Sequence, residues 1–233
     1  MSEDRDPLFY DDEEQRERDV EEARRAARPY SIAVGVVFLA FLAFVGYNTL
    51  TNDSAGPGGL QDGSRLPKFA APSATGTLDG DAQVDPRKAC KVRERDAIRI
   101  CDYFDRPLVL VAWFSKCGGH CEPLLDEVER IRRRFPGVAF VGVDIRDSLD
   151  SARKAVTENG WGFPMAVDRD GAVGLLYSVG VGPTTFFAYR GGVLAEKALG
   201  ELSEEELTQR VRSLVRASRR RQDGATIQRP DAG

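Results

Sequence analysis

The sequence predicts an α/β domain with a mixed central sheet, following a single N-terminal transmembrane helix. Three observations predict it. Residues 31–50 contain no charged side chain and form an apolar run long enough to span a bilayer. Between residues 67 and 216, apolar strand-like runs alternate with amphipathic helical segments. A pair of glycines late in this region separates two further strand-like runs, which is typical of an antiparallel hairpin.

The apolar run at residues 31–50 (SIAVGVVFLAFLAFVGYNTL) is the first element. Twenty helical residues span about 30 Å, the thickness of the hydrocarbon core. A buried core helix would show a polar stripe at helical period, and a cleaved signal peptide would have a shorter apolar run followed by a small-residue cleavage site. Neither pattern is present in this sequence, so we interpret the segment as a retained membrane anchor.

Basic residues predict the orientation of this anchor. Five arginines lie between residues 16 and 28, whereas the first basic residue after the span is Arg65. Because basic residues stay on the cytoplasmic side of a membrane, residues 1–30 are expected to form a charged cytoplasmic tail. Everything after residue 50 then lies outside the cell membrane, which in a bacterium is a compartment where disulfides persist.

The composition of the remaining segments predicts the domain boundaries. Residues 51–66 are rich in Gly, Ser and Asp and are expected to form a flexible linker. Residues 217–233 are basic and polar and are expected to form a disordered tail. The globular domain is therefore placed at residues 67–216. The formal net charge of −4 argues against a nucleic-acid partner.

The first half of the domain is predicted to run strand, helix, strand, helix. Leu108–Phe114 and Val138–Ile145 are nearly continuous apolar runs, the pattern of strands buried on both faces. Residues 122–134 carry apolar side chains at helical spacing and are followed by a Pro-Gly pair. A second helix is expected over Leu149–Trp161, where an Asn-Gly pair provides the stop signal.

The second half of the domain is predicted to contain a hairpin and a closing helix. Thr184–Tyr189 and Val193–Ala198 are strand-like runs on either side of Gly191–Gly192. Ser203 and Glu206 have the S-x-x-E spacing of a capping box, which begins the last helix. The alternating elements and the hairpin together predict the mixed sheet.

One cysteine pair occupies the junction between the first buried strand and the helix after it. Cys117 and Cys121 enclose Gly118, Gly119 and His120. Free N–H groups and the positive end of the helix dipole lower the pKa of a thiol at such a place. The glycines allow a sharp turn and leave the first sulfur accessible. A thiolate at Cys117 can attack a partner's disulfide, and Cys121 then resolves the mixed disulfide.

Motifs around this pair resemble one known family. Trp113–Cys117 (WFSKC), Val167–Gly171 (VDRDG) and Tyr177–Phe187 (YSVGVGPTTFF) are similar to the TlpA/ResA-type branch of the thioredoxin superfamily. The resemblance covers residues 67–216. It implies a thioredoxin-like fold, a membrane-anchored thiol–disulfide oxidoreductase, and a cis proline at Pro183 facing the cysteines; we expect no cofactor and no metal. We predict Cys117, Cys121 and Pro183 as the catalytic residues, with Trp113, Lys116, Gly118, Gly119, His120, Gly182 and Thr184 as supporting residues.

The sequence departs from that family at three points. Three residues separate the cysteines where the family has two; on a helix this spacing keeps both side chains on one face, and a disulfide is feasible if the first turn loosens. Lys116 replaces the tryptophan that often precedes the first cysteine, and its charge should favour the thiolate. Val111 and Leu124 occupy the positions of the family's proton-transferring acids. Glu122 and Asp126 lie close to those positions in the sequence.

His120 and the second cysteine pair each allow two interpretations. His120 is the only histidine; similarity to oxidising members of the thioredoxin superfamily, which have a histidine at this place, implies that it favours the reduced state, and the alternative is a surface side chain at a helix start. Cys90 and Cys101 enclose a segment expected to form a short hairpin, with Asp96 near its turn. We predict a structural disulfide there, worth about 3 kcal/mol, with a second redox pair as the alternative.

The leading functional hypothesis is extracytoplasmic thiol–disulfide exchange at the membrane, in either direction. The expected partners are exported proteins with cysteines, apocytochromes among them, a membrane redox partner, and the lipid bilayer through residues 31–50. A Sco-like copper-binding chaperone is one alternative because two thiolates suit Cu(I), although no histidine follows His120. A redox-inactive binding module with the same fold is the other.

Overall fold

The computed structural model describes residues 34–45, 59–117 and 119–227, with side chains described as far as residue 222. The chain divides into two units, Met1–Asp53 and Ser54–Gly233. In the first unit, residues 34–45 form helix α1, and its large apolar side chains are exposed. Within the described parts of the chain, no helix combines the length and the hydropathy that a membrane crossing requires. The rest of the predicted span, the predicted tail at 1–30 and residues 51–58 of the predicted linker lie outside the described residues.

The second unit is built on a five-stranded mixed sheet. The strands are β1 Ala70–Pro72, β2 Ala97–Arg99, β3 Leu108–Trp113, β4 Ala139–Ile145, β5 Met165–Asp168, β6 Thr184–Tyr189 and β7 Val193–Leu199. The main sheet has the order β5-β4-β3-β6-β7, with β3, β4 and β5 parallel and β6 and β7 antiparallel to their neighbours. β1 and β2 form a separate antiparallel pair. The prediction of an α/β fold with a mixed central sheet is confirmed.

Helices cover both faces of this sheet. The helices of this unit are α2 Glu122–Arg132, α3 Leu149–Asn159, α4 Ala172–Leu176 and α5 Glu204–Ile227. Apolar side chains of α2, α3 and α5 form one core with Val109, Val111 and Trp113 of β3. The alternate β3 residues Leu108 and Leu110 face the other core, to which α4, β1 and β2 contribute. Because β3 is buried on both faces, its sequence is a continuous apolar run.

The predicted capping box and hairpin are present in the structure. The backbone N–H of Glu206 donates to Oγ of Ser203 at 3.3 Å, and the N–H of Ser203 donates to Oε2 of Glu206 at 2.9 Å. Gly191 and Gly192 have φ values of +88° and +71°, which glycine adopts at no steric cost, and they connect β6 to β7. Sequence reasoning did not predict β5, α4 or the β1–β2 pair.

The predicted start of the domain at residue 67 is wrong, because the described end of the predicted linker packs against the domain. Leu60 and Leu66 are buried. The N–H of Gly63 donates to the carbonyl of Leu194 at 2.8 Å, and the N–H of Leu66 donates to that of Gly192 at 2.7 Å. Residues 63–66 therefore pair with the edge of the sheet at β7, which otherwise would expose unpaired backbone groups.

The predicted end of the domain at residue 216 is also wrong. Helix α5 continues to Ile227, so the expected disorder is contradicted for residues 217–227. Ser218 is buried, and the guanidinium carbon of Arg221 lies 4.1 Å from the centroid of the Tyr189 ring. These contacts with the sheet hold an arginine-rich segment that has no apolar face of its own. Residues 228–233 lie outside the described residues.

The segment between Cys90 and Cys101 is not the expected hairpin. Two short 3₁₀ helices, Ala89–Lys91 and Ile100–Tyr103, hold the cysteines at its ends, and the strand inside the segment pairs with β1 instead. Asp96 accepts hydrogen bonds from the N–H and the hydroxyl of Thr77 at 2.6 and 2.8 Å. The cysteines form a disulfide with their Cα atoms 5.9 Å apart.

Candidate active site

The turn between β3 and α2 carries the other disulfide. Cys117 and Cys121 are bonded to each other, with their Cα atoms 6.0 Å apart. Helix α2 begins at Glu122, with Cys121 as its N-cap residue. The cysteines therefore lie in the turn ahead of the helix and not on one helical face. Gly119 has φ +83° in this turn, a conformation that favours glycine, and Gly118 lies outside the described residues.

The two sulfur-bearing residues differ in accessibility. Cys117 is half-buried, whereas Cys121 is fully buried in the core that contains Trp113. The N–H of Cys117 donates to the carbonyl of Phe114 at 3.1 Å, which holds the first cysteine close to the end of β3. A partner can therefore reach Cys117, while Cys121 is placed to attack only from inside the protein.

The loop before β6 packs directly on this disulfide. The Gly182–Pro183 peptide bond is cis. A Cβ atom added to Gly182 would lie 2.5 Å from Cδ2 of Phe114 and 3.5 Å from Sγ of Cys121. The hydroxyl of Thr184 donates to the carbonyl of Val181 at 2.7 Å and fixes the turn. The structure thus places Gly182 next to Cys121, and Pro183 and Thr184 follow directly in the chain.

Trp113, the last residue of β3, packs in the same core as Cys121. It is buried, its Nε1 donates to Sδ of Met165 at 3.1 Å, and its ring meets the ring of Trp161 edge-on, with centroids 5.4 Å apart. Nε1 of Trp161 donates in turn to Oδ1 of Asp126 at 2.7 Å. Asp126 is therefore hydrogen-bonded to this aromatic pair. These contacts fix the position of the Trp113 ring next to the turn.

Lys116 and His120 are exposed on the outer side of the turn. Nδ1 of His120 lies 3.4 Å from Oε1 of Glu201, which follows β7. The two side chains form an ion pair when the imidazole is protonated, and both are largely exposed, so the pair contributes little to stability. Glu201 was missed by sequence reasoning because only the packing of the hairpin brings it next to His120.

A buried acid lies close to the turn, on β4 instead of at the expected positions in β3 and α2. Val111 and Leu124 are buried apolar residues, as the sequence indicates. Asp144, near the end of β4, is also fully buried, and its Oδ1 accepts a hydrogen bond from the N–H of Ser115 at 3.2 Å. Burial first, and the negative charge of Asp147 second, raise the pKa of Asp144 to about 8. The available sequence signal was a carboxylate inside an otherwise apolar strand.

Cysteine and histidine side chains are common metal ligands, and this site contains both. Within residues 34–45, 59–117 and 119–222, no three His, Cys, Asp or Glu side chains gather in a way that could hold a metal ion.

Comparison with known proteins identifies the family of this chain and relatives that are named thiol-disulfide oxidoreductases. Residues 64–197, more than half of the chain, match the AhpC/TSA family. The chain belongs to the AhpC/TSA family. The thiol-disulfide oxidoreductase ResA of Geobacillus kaustophilus (strain HTA426) is 24% identical over 183 residues, which cover 76% of this chain and 92% of that protein. ResA of Bacillus anthracis is 27% identical over 95 residues, 39% of this chain and 55% of that protein.

Solved structures show the same fold. A putative thiol:disulfide interchange protein DsbE from Chlorobium tepidum aligns with a TM-score of 0.53 at 22% identity, covering 67% of this chain and 99% of that one. A secreted Mycobacterium tuberculosis disulfide oxidoreductase homologous to E. coli DsbE aligns with a TM-score of 0.50 at 20% identity, covering 62% of this chain and 95% of that one. The prediction of a thioredoxin-like thiol–disulfide oxidoreductase is confirmed at the level of the class.

Proposed function

We propose that this chain is a membrane-anchored oxidoreductase that exchanges thiols and disulfides with exported proteins outside the cytoplasm. The observation that carries the exchange chemistry is the unequal burial of the two cysteines beneath the cis-proline loop. Cys117 is half-buried and Cys121 is fully buried. Such an arrangement supports a two-step exchange in which one sulfur meets the partner and the other resolves the intermediate.

The reaction follows from this arrangement. In the direction that reduces a substrate, the thiolate of Cys117 attacks one sulfur of the substrate disulfide, and the other substrate sulfur leaves as a thiolate. The thiolate of Cys121 then attacks Sγ of Cys117, releases the second substrate thiolate and closes the internal disulfide. The substrate gains the two electrons that the cysteine pair loses. The reverse sequence oxidises a substrate dithiol.

The start of helix α2 activates the first cysteine. N–H groups without helical partners and the positive end of the helix dipole stabilise negative charge at this end. The ammonium group of Lys116, next to Cys117 in the chain, adds to this effect. Both contributions favour the thiolate that must attack the partner.

The surface beside the cis-proline loop suits an extended protein substrate. Val181 and Leu199 are large apolar residues with 54% and 63% exposure. Val181 lies in the loop ahead of Pro183, and Leu199 pairs with Thr184 across the sheet. Apolar side chains flanking a substrate cysteine would bury this exposed surface. Exported proteins with cysteines, including apocytochromes, are the substrates we propose, with a membrane redox partner that restores the pair.

The sequence of the N-terminal region supports the membrane location. Residues 31–50 carry no charge, five arginines precede them between residues 16 and 28, and the next basic residue is Arg65. In the first unit, the apolar side chains of α1 are exposed, as those of a lipid-facing helix would be. We therefore place the N-terminus in the cytoplasm and the thioredoxin-like domain outside.

Trapping of substrates tests the exchange. The full chain with Cys121→Ser, expressed in cell membranes, should accumulate mixed disulfides through Cys117 that a reductant releases. The same chain with an added Cys117→Ser change is the matched control and should capture nothing. Absence of any mixed disulfide with Cys121→Ser alone would contradict the proposed exchange. A membrane-impermeant thiol reagent should label reduced Cys117 on intact cells, and labelling only after lysis would contradict the proposed orientation.

A further inference from the structure

Asp144 is a buried acid that the exchange steps above leave without a role. Its Cα atom is paired with that of Trp113 on the neighbouring parallel strand. Because partners in register place their side chains on the same face of a sheet, Asp144 points into the layer that holds Trp113 and the buried Cys121. The N–H of Ser115, two residues before Cys117, donates to Oδ1 of Asp144 at 3.2 Å. The carboxyl group therefore lies directly under the reactive turn.

The hydrogen bonding of this carboxyl group is incomplete. Oδ2 of Asp144 is buried and has no hydrogen-bond partner among the described residues. Asp147, in the loop after β4, is 7% exposed and also has a buried Oδ2 without a partner in the described part of the chain. Burial, and after it the nearby charge of Asp147, raises the pKa of Asp144 and so favours the protonated form of that carboxyl group. The surrounding elements carry further ionisable groups, among them Lys116 after β3, Asp150 in α3 and Glu122 at the start of α2, whose Oε2 is also buried without a partner among the described residues.

Asp168 shows what a structural aspartate looks like at the same edge of the sheet. It ends β5, next to β4, and is equally buried. Its two oxygens accept hydrogen bonds from the N–H groups of Val173 and Gly174 at 3.1 and 2.8 Å, which ties the strand to α4. It lies on the opposite face of the sheet from Asp144, since the preceding residue Val167 belongs to the α2 face. Both carboxylate oxygens of Asp168 therefore have hydrogen-bond donors, whereas Oδ2 of Asp144 has none among the described residues.

The buried cysteine needs a group of this kind. When the disulfide opens, Cys121 leaves as a thiolate in a site without solvent contact. Burial in apolar surroundings disfavours a thiolate and favours the neutral thiol. A proton must therefore reach Cys121 when the disulfide opens and must leave it when the disulfide closes, and Val111 and Leu124 cannot supply it.

We propose that Asp144 exchanges a proton with Cys121 each time the Cys117–Cys121 disulfide opens or closes, an inference that rests on the exchange function proposed above. In the opening direction, a partner thiolate attacks Sγ of Cys117, the internal S–S bond breaks, and its electron pair stays on Sγ of Cys121. The protonated carboxyl of Asp144 gives that sulfur its proton, directly or through one water, and becomes a carboxylate. In the closing direction, the carboxylate takes the proton back, the Cys121 thiolate attacks Cys117, and the partner leaves as a thiolate.

The pH dependence of disulfide opening tests this proposal. The rate at which dithiothreitol reduces the Cys117–Cys121 bond in the full chain is measured from about pH 6 to about pH 10 and divided by the dithiothreitol thiolate concentration. This normalised rate should fall as Asp144 loses its proton, around pH 8. The isosteric Asp144→Asn should lower the rate about 100-fold at neutral pH and remove the inflection. Asp147→Asn should keep the inflection and move it to lower pH, because the like charge is gone.

Controls separate a proton-exchanging role from a structural one. Asp168→Asn removes an equally buried aspartate from the opposite face and should leave both the normalised rate and its inflection unchanged. A normalised rate and inflection in Asp144→Asn equal to those of the unaltered chain would overturn the proposal, even if Cys121→Ser still traps substrates. Should Asp144→Asn fail to fold, carbon-13 spectra of the unaltered chain decide instead. The Asp144 carboxyl should titrate at different pH in the oxidised and reduced proteins, and identical titrations would overturn the proposal.

Discussion

The two disulfides of the domain span nearly equal distances, with Cα separations of 5.9 Å for Cys90–Cys101 and 6.0 Å for Cys117–Cys121. Their surroundings differ. Cys90 and Cys101 are both half-buried and lie in two short 3₁₀ helices. The second pair instead joins a half-buried and a fully buried cysteine ahead of an eleven-residue α-helix. We therefore distinguish the reactive bond that we propose at Cys117–Cys121 from the structural one at Cys90–Cys101 by its place in the fold and not by its span.

Local contacts strengthen this contrast. The segment closed by Cys90–Cys101 is clamped by Arg99, which bonds Oδ2 of Asp102 at 2.8 Å and the carbonyl of Val92 at 2.9 Å. The turn closed by Cys117–Cys121 is covered by the cis-proline loop at Gly182. A clamped loop resists opening, whereas a turn at a helix start stabilises the thiolate that opening produces.

The largest expected effect comes from removing one pair at a time. Replacing Cys117 and Cys121 by alanine should abolish exchange. Replacing Cys90 and Cys101 by alanine should retain exchange and lower the free energy of unfolding by about 3 kcal/mol, because the unfolded chain regains the entropy of an open loop. Denaturant unfolding and an insulin-reduction assay measure the two outcomes. Loss of exchange in a folded protein without Cys90 and Cys101 would break the distinction.

A smaller effect is expected at the loop that covers the reactive pair. Gly182→Ala would place a Cβ atom 2.5 Å from Phe114 and 3.5 Å from Sγ of Cys121, so the loop must move away from the disulfide. Overpacking of this kind costs about 1–3 kcal/mol, and we expect exchange to slow about tenfold. Gly180→Ala is the matched control, since nothing lies within 4 Å of a Cβ atom there. Equal rates in both variants would show that the loop does not shape the site.

The smallest effect is expected at the exposed edge of the site. Glu201→Gln removes the charge 3.4 Å from Nδ1 of His120, and solvent screens this pair. We expect the exchange rate at neutral pH to change by less than about threefold. Glu205→Gln, an exposed acid in the first turn of α5, serves as the control. A tenfold change with Glu201→Gln alone would give His120 a larger role than its exposure indicates.

Sequence patterns predicted the elements that bury long apolar runs. Leu108–Phe114 and Val138–Ile145 correspond to β3 and β4 within a residue at each end, because strands buried on both faces leave an unbroken apolar run. The four-residue strand β5 and five-residue helix α4 are too short to show a period. The arginine-rich end of α5 has no apolar face, so only its packing against Tyr189 reveals it.

The candidate site was predictable where chemistry and local sequence coincide. The cysteine pair and Pro183 belong to recognisable motifs, and the structure packs Gly182, the residue before Pro183, next to Cys121. Asp144 and Glu201 reach the site from other strands, and only strand register and hairpin packing place them there. The position of Cys121 ahead of α2 also required the structure, because the spacing of the cysteines alone does not show at which residue the helix begins.

The central claim is that Cys117–Cys121 is the pair that cycles. The most direct measurement equilibrates the full chain in a series of reduced-to-oxidised glutathione ratios, alkylates the free thiols and identifies the labelled cysteines by mass spectrometry. The account predicts that Cys117 and Cys121 become labelled together, and reversibly, at ratios where Cys90 and Cys101 remain bonded. Opening of Cys90–Cys101 first, or a Cys117–Cys121 bond that stays closed until the protein unfolds, would contradict it.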